Sequence, residues 1–376
     1  MKWLDDFRSR LLLIGFVAAI VIGVGKVRAD FFFGEPEILG SGVNSGYGEH
    51  GPRISSDGLE LYFTSNRPGG YAEYTIWVCT RATREAHWGE AVNLGPPVNT
   101  PCGEGTAYAG TGAANISADG LSLYFSSGRS DGFGSQDLYV TTRASKSAPW
   151  EAPTNLGPEV NSSAWENSPD ISADSLCLFF ADHPYGPYRT GGYGSSDIWV
   201  TQRESENHGW ETPINLGPTI NTPAEDAGPS LSSDGMLLFF HSYRPGGSGS
   251  LDLWMVKRTT TSDTWGTPKN LGPNINSSYY DDNPDISSDG SILYFESGRQ
   301  GGSDLWQVSI DPIVDFNGDR IVDADDMVIM VDHWGTDYSL CDIGPMPWGD
   351  GVVDVHDLIV LAEHLFEQLP GRPIEP

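Results

Sequence analysis

Short apolar runs separated by turn residues recur along most of the chain, at intervals of 55 to 62 residues. The clearest copy is ISSDGLELYFTS at 54–65, in which a polar turn precedes an alternating segment that ends in an aromatic pair. Asp and Gly favour a tight turn, and the alternation predicts a half-buried strand. The turn aspartates of the five copies are Asp57, Asp119, Asp174, Asp234 and Asp289.

Two more strand-like elements follow the turn and strand of most copies. In the first copy they are YTIWVCTR at 74–81 and WGEAVNLGPPVNT at 88–100. Four strands per repeat at this period are typical of a β-propeller blade, which buries its faces against neighbouring blades. The fifth copy lacks the last element, whereas GEPEILGSGVNS at 34–45 is an isolated copy of it. We therefore predict an all-β five-bladed β-propeller over residues 30–310, closed by an N-terminal strand within Glu35–Gly40.

These repeats resemble the WD40-like β-propeller repeats of the TolB type, in which a Ser-x-Asp-Gly turn precedes an apolar strand and an Asp-Leu-Trp-like strand. The resemblance covers all five copies. It implies the fold but no particular activity, since propellers host binding, scaffolding and hydrolysis.

The chain changes character after residue 310, where acidic loops precede two segments with helical spacing. The segment DFNGDRIVDADD at 315–326 places oxygen-bearing groups at positions 1, 3, 5, 7, 9 and 12 of a calcium loop. Calcium takes six to eight oxygen ligands, and this spacing wraps them around one ion. The predicted ligands are Asp315, Asn317, Asp319, the Ile321 carbonyl, Asp323 and Asp326.

A second loop fits this pattern only in its later half. Asp350, the Val352 carbonyl, Asp354 and Asp357 fill positions 5, 7, 9 and 12. Asp342 supplies the first ligand only if residues 345–347 bulge outward. The alternative is that the acids of both loops merely cap two amphipathic helices.

The tandem loops resemble a dockerin type I module, a small α-helical calcium-loop domain that here spans residues 311–376. The resemblance implies calcium as cofactor, a cohesin-like or other surface docking protein as partner, and a link to polysaccharide breakdown.

The N-terminus and the charge indicate where the protein works. The apolar run at 11–25 lies between basic residues and is short for a membrane span, so residues 1–29 are predicted to be a signal peptide. The alternative is an uncleaved membrane anchor. We expect a secreted, cell-surface or periplasmic protein.

A formal charge of −30 disfavours nucleic acid and anionic membranes as partners. Four cysteines allow three complete disulfide connectivities.

In four of the five copies an acidic residue stands five positions before the Ile/Leu-Ser, where an innermost strand would begin, and the second copy carries a threonine there. We expect them to form a collar at the channel mouth that, with nearby aromatic rings, binds a glycan or a cation. The collar is Glu49, Thr111, Glu166, Asp226 and Asp281, and the rings that we select are Trp165 and Tyr280.

Catalysis requires residues that break the repeat, and two candidates lie at the end of the second strand. There the five copies carry Thr64, Ser126, Ala181, His241 and Glu296. His241 is therefore added to the predicted ligand-binding residues. Glycoside hydrolysis needs two carboxylates about 5–10 Å apart, for which Glu166, Asp226 and Glu296 are candidates. His50 is expected to be a loop residue without a ligand role.

Together these patterns predict an exported binding or docking protein, with the propeller as the platform for a glycan or protein ligand. One alternative is a glycoside hydrolase that uses carboxylates at the propeller mouth. Another is a surface scaffold without catalytic activity.

Overall fold

A computed structural model describes residues 31–100, 111–182, 186–338, 340–344, 349 and 352–367. The predicted signal peptide, Cys102, His183 and Asp350 lie outside these residues. The described part forms a five-bladed β-propeller followed by two short helices, which confirms the predicted fold class. Cys79, Cys177 and Cys341 are free thiols.

Each of the first four blades is an antiparallel sheet of four strands in chain order. The strands are β3 Glu49–Ile54, β4 Glu60–Ser65, β5 Thr75–Thr80 and β6 Val92–Asn93 in blade 1; β7 Thr111–Ile116, β8 Ser122–Ser127, β9 Asp137–Thr142 and β10 Thr154–Asn155 in blade 2; β11 Glu166–Ile171, β12 Cys177–Asp182, β13 Ile198–Gln202 and β14 Ile214–Asn215 in blade 3; β15 Asp226–Leu231, β16 Leu237–Ser242, β17 Asp252–Lys257 and β18 Lys269–Asn270 in blade 4. The first strands of successive blades pack against one another around a closed ring, so they line the central channel.

The fifth blade combines both ends of the propeller segment. Its β19 Asp281–Ile286, β20 Ile292–Ser297 and β21 Asp304–Pro312 come from the C-terminal side, and β2 Glu37–Ile38 pairs with β21 as the fourth strand. A further strand, β1 Phe31–Phe33, pairs with the end of β21. The ring is therefore closed by the predicted N-terminal strand, extended by one pairing that the sequence did not suggest.

The hydrophobic core lies between the blades. One cluster joins Tyr62 and Ile76 of blade 1 to Phe125 and Tyr139 of blade 2, and similar clusters join the later pairs of blades. Because each blade buries both of its faces, the alternation within the second strand places apolar side chains toward both neighbours. The aromatic pair that ends this strand is therefore buried.

Repeated asparagines fix the turn that connects successive blades. The side-chain amide of Asn161, for example, donates to the Leu138 carbonyl, while its oxygen accepts from the Leu138 N–H. Asn44, Asn99, Asn221 and Asn276 make the same pair of bonds in the other blades. These residues are structural parts of the repeat.

The C-terminal helices are α1 Ala324–Asp332 and α2 Val355–Glu363. Asp323 and Asp354 cap their N-termini, each in a capping box with the aspartate three residues later. A small core that includes Phe316, Met330 and Leu361 packs between them. Within the described residues, no helix is long and apolar enough to cross a membrane.

Candidate functional site

The repeated acids of the predicted collar lie inside the blades. Glu49, Glu166, Asp226 and Asp281 are 0% exposed, and a Ser or Thr four residues earlier donates to each carboxylate. Each also pairs with an arginine that stacks on aromatic rings of the same blade. These arginines are Arg67, Arg189, Arg244 and Arg299. The four carboxylates therefore hold loops to strands and are shielded from a ligand in the channel. The Thr111 side chain is outside the described part.

The three catalytic candidates do not form one site. Glu166 and Asp226 are held by Arg189 and Arg244 in separate blades, whereas Glu296 belongs to a different cluster. Burial raises the pKa of Glu166 despite its bonds to Ser162 and Arg189. Neither Glu166 nor Asp226 is open to a substrate.

A polar ring closes the channel between the innermost strands. Asp285 accepts a hydrogen bond from the Ile54 N–H of the next blade, and Asp170 accepts from the Leu231 N–H in the same way. Arg53 lies 3.8 Å from Asp285. Burial raises the pKa of Asp170 to about 7, and the positive charge of Arg53 offsets this only in part. The ring side chains are 6% exposed or less, so the channel is blocked at this level.

One side of the channel mouth carries a cluster of titratable groups that does not repeat around the ring. His50 Nδ1 lies 2.7 Å from Glu296 Oε1, which links blade 1 to blade 5. The Ser303 hydroxyl and the Asn283 amide also donate to Glu296. His50 is therefore a strand residue with a carboxylate partner, which corrects its assignment to a loop.

Asp282 and Glu296 face each other across β19 and β20 as a directly opposed cross-strand pair. Burial, then Glu296, raises the pKa of Asp282 well above its usual range. Burial would also raise the pKa of Glu296, but His50, Ser303 and Asn283 outweigh it and hold this pKa at about 2. The pKa values of the two carboxyl groups are therefore shifted in opposite directions, upward for Asp282 and downward for Glu296.

The cluster continues into blade 4. His241 Nδ1 accepts a hydrogen bond from the Asn283 N–H, and its Nε2 lies 3.6 Å from Glu225 Oε1. His241 and Glu296, the two residues singled out as breaking the repeat, thus belong to one network with Asp282 and Asn283. In blades 2 and 3 the corresponding positions carry Ser126, Asn167 and Ala181, which have no charge.

The backbone at this level is strained. Every innermost strand has a register shift near its start, with a positive φ at the bulged residue. Blades 1 and 4 place glycine there, whereas blades 2, 3 and 5 place Ala113, Ser168 and Asn283 at φ 40°, 49° and 48°. Such strain in a non-glycine residue persists only where its surroundings hold it, as the bonds to His241 and Glu296 do here.

Three adjacent blades carry larger side chains one position before the buried acid. These are Trp165 in blade 3, Glu225 in blade 4 and Tyr280 in blade 5. A Cβ at Gly186 would lie 2.5 Å from the Trp165 ring, and one at Gly298 would lie 2.5 Å from the Tyr280 ring. Glycine therefore lets each ring lie flat against its loop. Both rings are partly exposed.

Ser303, His50 and Glu296 are in mutual contact but do not form a hydrolytic triad. Ser303 Oγ lies 3.1 Å from His50 Nδ1, the same nitrogen that contacts Glu296. A triad needs the serine and the acid on opposite ring nitrogens. His50 Nε2 is buried without a partner and packs against Gly48. Nucleophilic attack by Ser303 is therefore not supported.

In the first C-terminal loop, the side chains of the predicted calcium ligands bind backbone groups. The Asp315 carboxylate accepts from the N–H groups of residues 318, 319 and 320, and Asp326 accepts from those of residues 316, 317 and 323. Asn317 and Asp319 bond to each other, and the Ile321 N–H donates to Asp319. Arg320, in place of the usual glycine, takes a φ of 75°.

The second loop repeats this pattern around Asp342. The Asp357 carboxylate accepts from the Gly344 and Asp354 N–H groups, as Asp326 accepts from Asn317 and Asp323. A Cβ at Gly349 would meet the Asp342 carboxylate, so these two residues are in contact. Asp342 thus takes the place of Asp315, with additional residues inserted after it.

The oxygen-bearing groups of the two C-terminal loops are of the kind that calcium prefers as ligands. Asp315, Asp326 and Asp357 are 4% exposed or less and form no ion pair with a basic side chain in the described part. Buried carboxylates without a cation are unfavourable, and hard oxygen donors suit calcium. As the loops stand, no three His, Cys, Asp or Glu side chains of the described chain are close enough to hold a metal.

Comparison with known proteins gives structural neighbours only. No family model matches the chain, and no curated protein matches it. Similar solved structures include a thermostable family-43 glycoside hydrolase, at 13% identity and TM-score 0.48, which covers 72% of this chain and 91% of its own. An α-L-arabinofuranosidase from Lactobacillus brevis has 12% identity and TM-score 0.48, with 73% and 92% covered. TolB from Acinetobacter baumannii has 14% identity and TM-score 0.40, with 72% and 56% covered. Similarity at this level establishes no family and no activity for the chain.

Proposed function

We propose that the protein is an exported saccharide-binding protein whose ligand lies at the channel mouth over blades 3, 4 and 5. The observation that carries this proposal is the placement of Trp165, Glu225 and Tyr280 at one register position in three adjacent blades. Flat aromatic rings beside a few polar groups are typical of sites that bind small polar ligands. The polar ring beneath the mouth stops a ligand from passing through.

Retention on immobilised polysaccharides tests this proposal. Trp165→Ala and Tyr280→Ala are each expected to weaken retention at least tenfold, because each removes a stacking surface. Trp334→Ala removes an exposed ring of the C-terminal unit and serves as the matched control. Retention that is equal in all four proteins would contradict the proposal.

The C-terminal unit would serve as a calcium-stabilised attachment module. Its oxygen donor sets, and the burial of Asp315, Asp326 and Asp357 without an ion pair to a basic side chain in the described part, support calcium binding. The proposed ligands are Asp315, Asn317, Asp319, Ile321, Asp323 and Asp326 in the first loop, and Asp342, Asp350, Val352, Asp354 and Asp357 in the second. Val328 and Val331 of α1 and Val355 and Ile359 of α2 are exposed apolar residues suited to a docking partner such as a cohesin-like protein. Capture by immobilised cohesin that is lost in Ile359→Asp would support this role.

Glycoside hydrolysis is the second candidate function, and the raised pKa of Asp282, caused first by burial and then by Glu296, favours it. A carboxylic acid that keeps its proton at neutral pH is the group that protonates a leaving oxygen. Its contact with Glu296 is too close for the usual acid and nucleophile pair, so Glu225 would have to supply the second carboxylate. Release of reducing sugar that disappears in Asp282→Asn but persists in Glu166→Gln would favour this function.

A further inference from the structure

Glu225 is a carboxylate that the fold leaves without a cation. Its neighbour Asp226 pairs with Arg244, as the equivalent acids of blades 1, 3 and 5 pair with their own arginines. The Glu225 side chain is 16% exposed and has no hydrogen-bond donor within reach in the described part of the chain. The charge at this position is therefore held next to solvent, at the mouth, without compensation.

Among the described residues, His241 is the basic side chain that lies near Glu225, and its hydrogen bonds argue against neutralisation of the carboxylate. Its Nδ1 accepts from the Asn283 N–H at 3.0 Å, so that nitrogen carries no proton. The ring is then neutral with its single proton on Nε2, which lies 3.6 Å from Glu225. This geometry assigns the tautomer, so the His241 ring offers Glu225 no positive charge.

The remaining acids of the cluster are compensated within the protein. Glu296 is matched by His50 and by three further donors. Asp282 is its directly opposed cross-strand partner, and burial followed by Glu296 raises the pKa of Asp282. A ligand at the mouth thus meets Glu225 as a carboxylate that has no arginine or lysine partner in the described part, with Tyr280 and Trp165 in the flanking blades.

We propose that the mouth selects saccharides that carry a primary amine, with the ammonium group at Glu225 and sugar rings on Tyr280 and Trp165. This inference rests on the saccharide-binding function proposed above and names its ligand class. A protonated amine both pairs with a carboxylate and is attracted to an aromatic face, so the two flanking rings reinforce the selection. Saccharides that carry carboxylate or sulfate groups would be repelled by Glu225 and by the acidic protein as a whole.

Calorimetric titration of the full chain with three oligosaccharides tests the inference. The probes are a glucosamine tetramer, an N-acetylglucosamine tetramer of the same backbone and a galacturonic acid tetramer. Near pH 6, where the sugar amine is protonated, we expect the glucosamine tetramer to bind at least tenfold more tightly than its acetylated form. Near pH 9.5, where the amine is neutral, this advantage should disappear.

Glu225→Gln should remove the tenfold preference for the glucosamine tetramer over the acetylated tetramer at pH 6. Glu204→Gln, at an exposed glutamate of the β13–β14 connection, is the matched control and should retain the preference. If Glu225→Gln does not fold, the unaltered protein alone tests the amine selection. Its preference for the glucosamine tetramer is then compared between pH 6 and pH 9.5.

The outcomes separate the inference from the function on which it rests. Equal affinity for the glucosamine and acetylated tetramers would overturn the amine selection and leave saccharide binding intact. Tighter binding of the galacturonic acid tetramer would overturn the selection as well. Binding of none of the probes, together with failure to be retained on any polysaccharide, would overturn both.

Discussion

His50 and Glu296 are joined by a contact of 2.7 Å between Nδ1 and Oε1, across the seam where the first blade meets the last. This seam closes only because β2 and β1 of the N-terminal segment pair with β21. The asymmetric cluster at the mouth therefore lies where the ring depends on residues far apart in the chain. Assembly of the candidate site and closure of the propeller are thus coupled.

The His50–Glu296 pair should stabilise the fold most between about pH 4.5 and pH 6.5. The folded-state pKa of Glu296 is about 2, so its contribution is present above the unfolded value of about 4.3 and is lost as the pH falls toward 2. Burial lowers the pKa of His50, but Glu296 more than offsets this and raises it above 6.5. Its contribution is therefore complete below about 6.5 and is lost as the pH rises through the folded-state value.

Thermal unfolding of His50→Gln across this range is the corresponding measurement. The difference in Tm from the unaltered protein should be largest near pH 5.5 and smaller near pH 3 and pH 9. His208→Gln, at an exposed histidine that also lies near a glutamate, should show no such maximum. A pH-independent difference for His50→Gln would show that the pair is not ionised as described.

Asp282→Asn should make the protein more stable, relative to the unaltered protein, as the pH rises. Burial and Glu296 raise the pKa of Asp282 in the folded protein, so folding must retain a proton that the unfolded chain releases above about pH 3.9. Asparagine removes this cost. The free energy of unfolding of the variant, relative to the unaltered protein, should therefore rise between pH 4 and pH 8. Urea titrations at both pH values measure it, and a constant difference would contradict the raised pKa.

The sequence was sufficient for the fold, because the repeat carries the strand pattern five times and the displaced fragment at 34–45 explains the closure. It was less informative for the site. The arginine that pairs with each collar acid lies 18 or 23 residues later in the chain, as in Glu49–Arg67 and Glu166–Arg189. Because this pairing was not recognised in the sequence, the acids were predicted to bind a ligand. The recurring arginine after each second strand was a signal for this pairing. Departure from the repeat singled out His241 and Glu296, and the structure places both in one hydrogen-bonded network.

Three other members of the network were missed for a physical reason. Asp282 is one of many acids in a chain of charge −30, and only the cross-strand pairing with Glu296 sets it apart. His50 joins the cluster by closure of the ring, which brings together residues separated by 246 positions. Glu225 adjoins a conventional buried acid, so its lack of an arginine is visible only in three dimensions.

Asp226→Asn should lower stability without lowering saccharide affinity. The substitution leaves Arg244 buried without its carboxylate, and breaking a buried ion pair costs about 3–5 kcal/mol. Urea unfolding measures the loss, and calorimetry on the folded protein measures the affinity. Glu204→Gln, on the surface, should change neither. Loss of affinity at unchanged stability would instead restore Asp226 to the ligand-binding site.

Leu39→Ala should destabilise the propeller, because Leu39 anchors the closing segment. Leu39 is 5% exposed within the core shared by blades 1 and 5, and its N–H donates to the Leu305 carbonyl. Truncation of a buried leucine costs about 2–5 kcal/mol. Val92→Ala, on an outermost strand at 62% exposure, should cost less than about 0.5 kcal/mol. Equal effects in urea unfolding would mean that the ring does not depend on this closure.

Calcium should stabilise the C-terminal unit of the full chain, with each loop responding to its own aspartate. The unit buries Asp315, Asp326 and Asp357 without a basic partner among the described residues, so a divalent cation would relieve their desolvation and mutual repulsion. At a calcium concentration of one hundred times Kd, one site adds about 2.7 kcal/mol to the free energy of unfolding.

Calorimetric titration should find two sites in the unaltered protein and one in either Asp315→Ala or Asp342→Ala. Asp332→Ala, at the exposed end of α1, should keep both sites. If calcium binds to neither loop and leaves thermal unfolding unchanged, the acids serve only as helix caps and loop anchors, and the attachment role has no support.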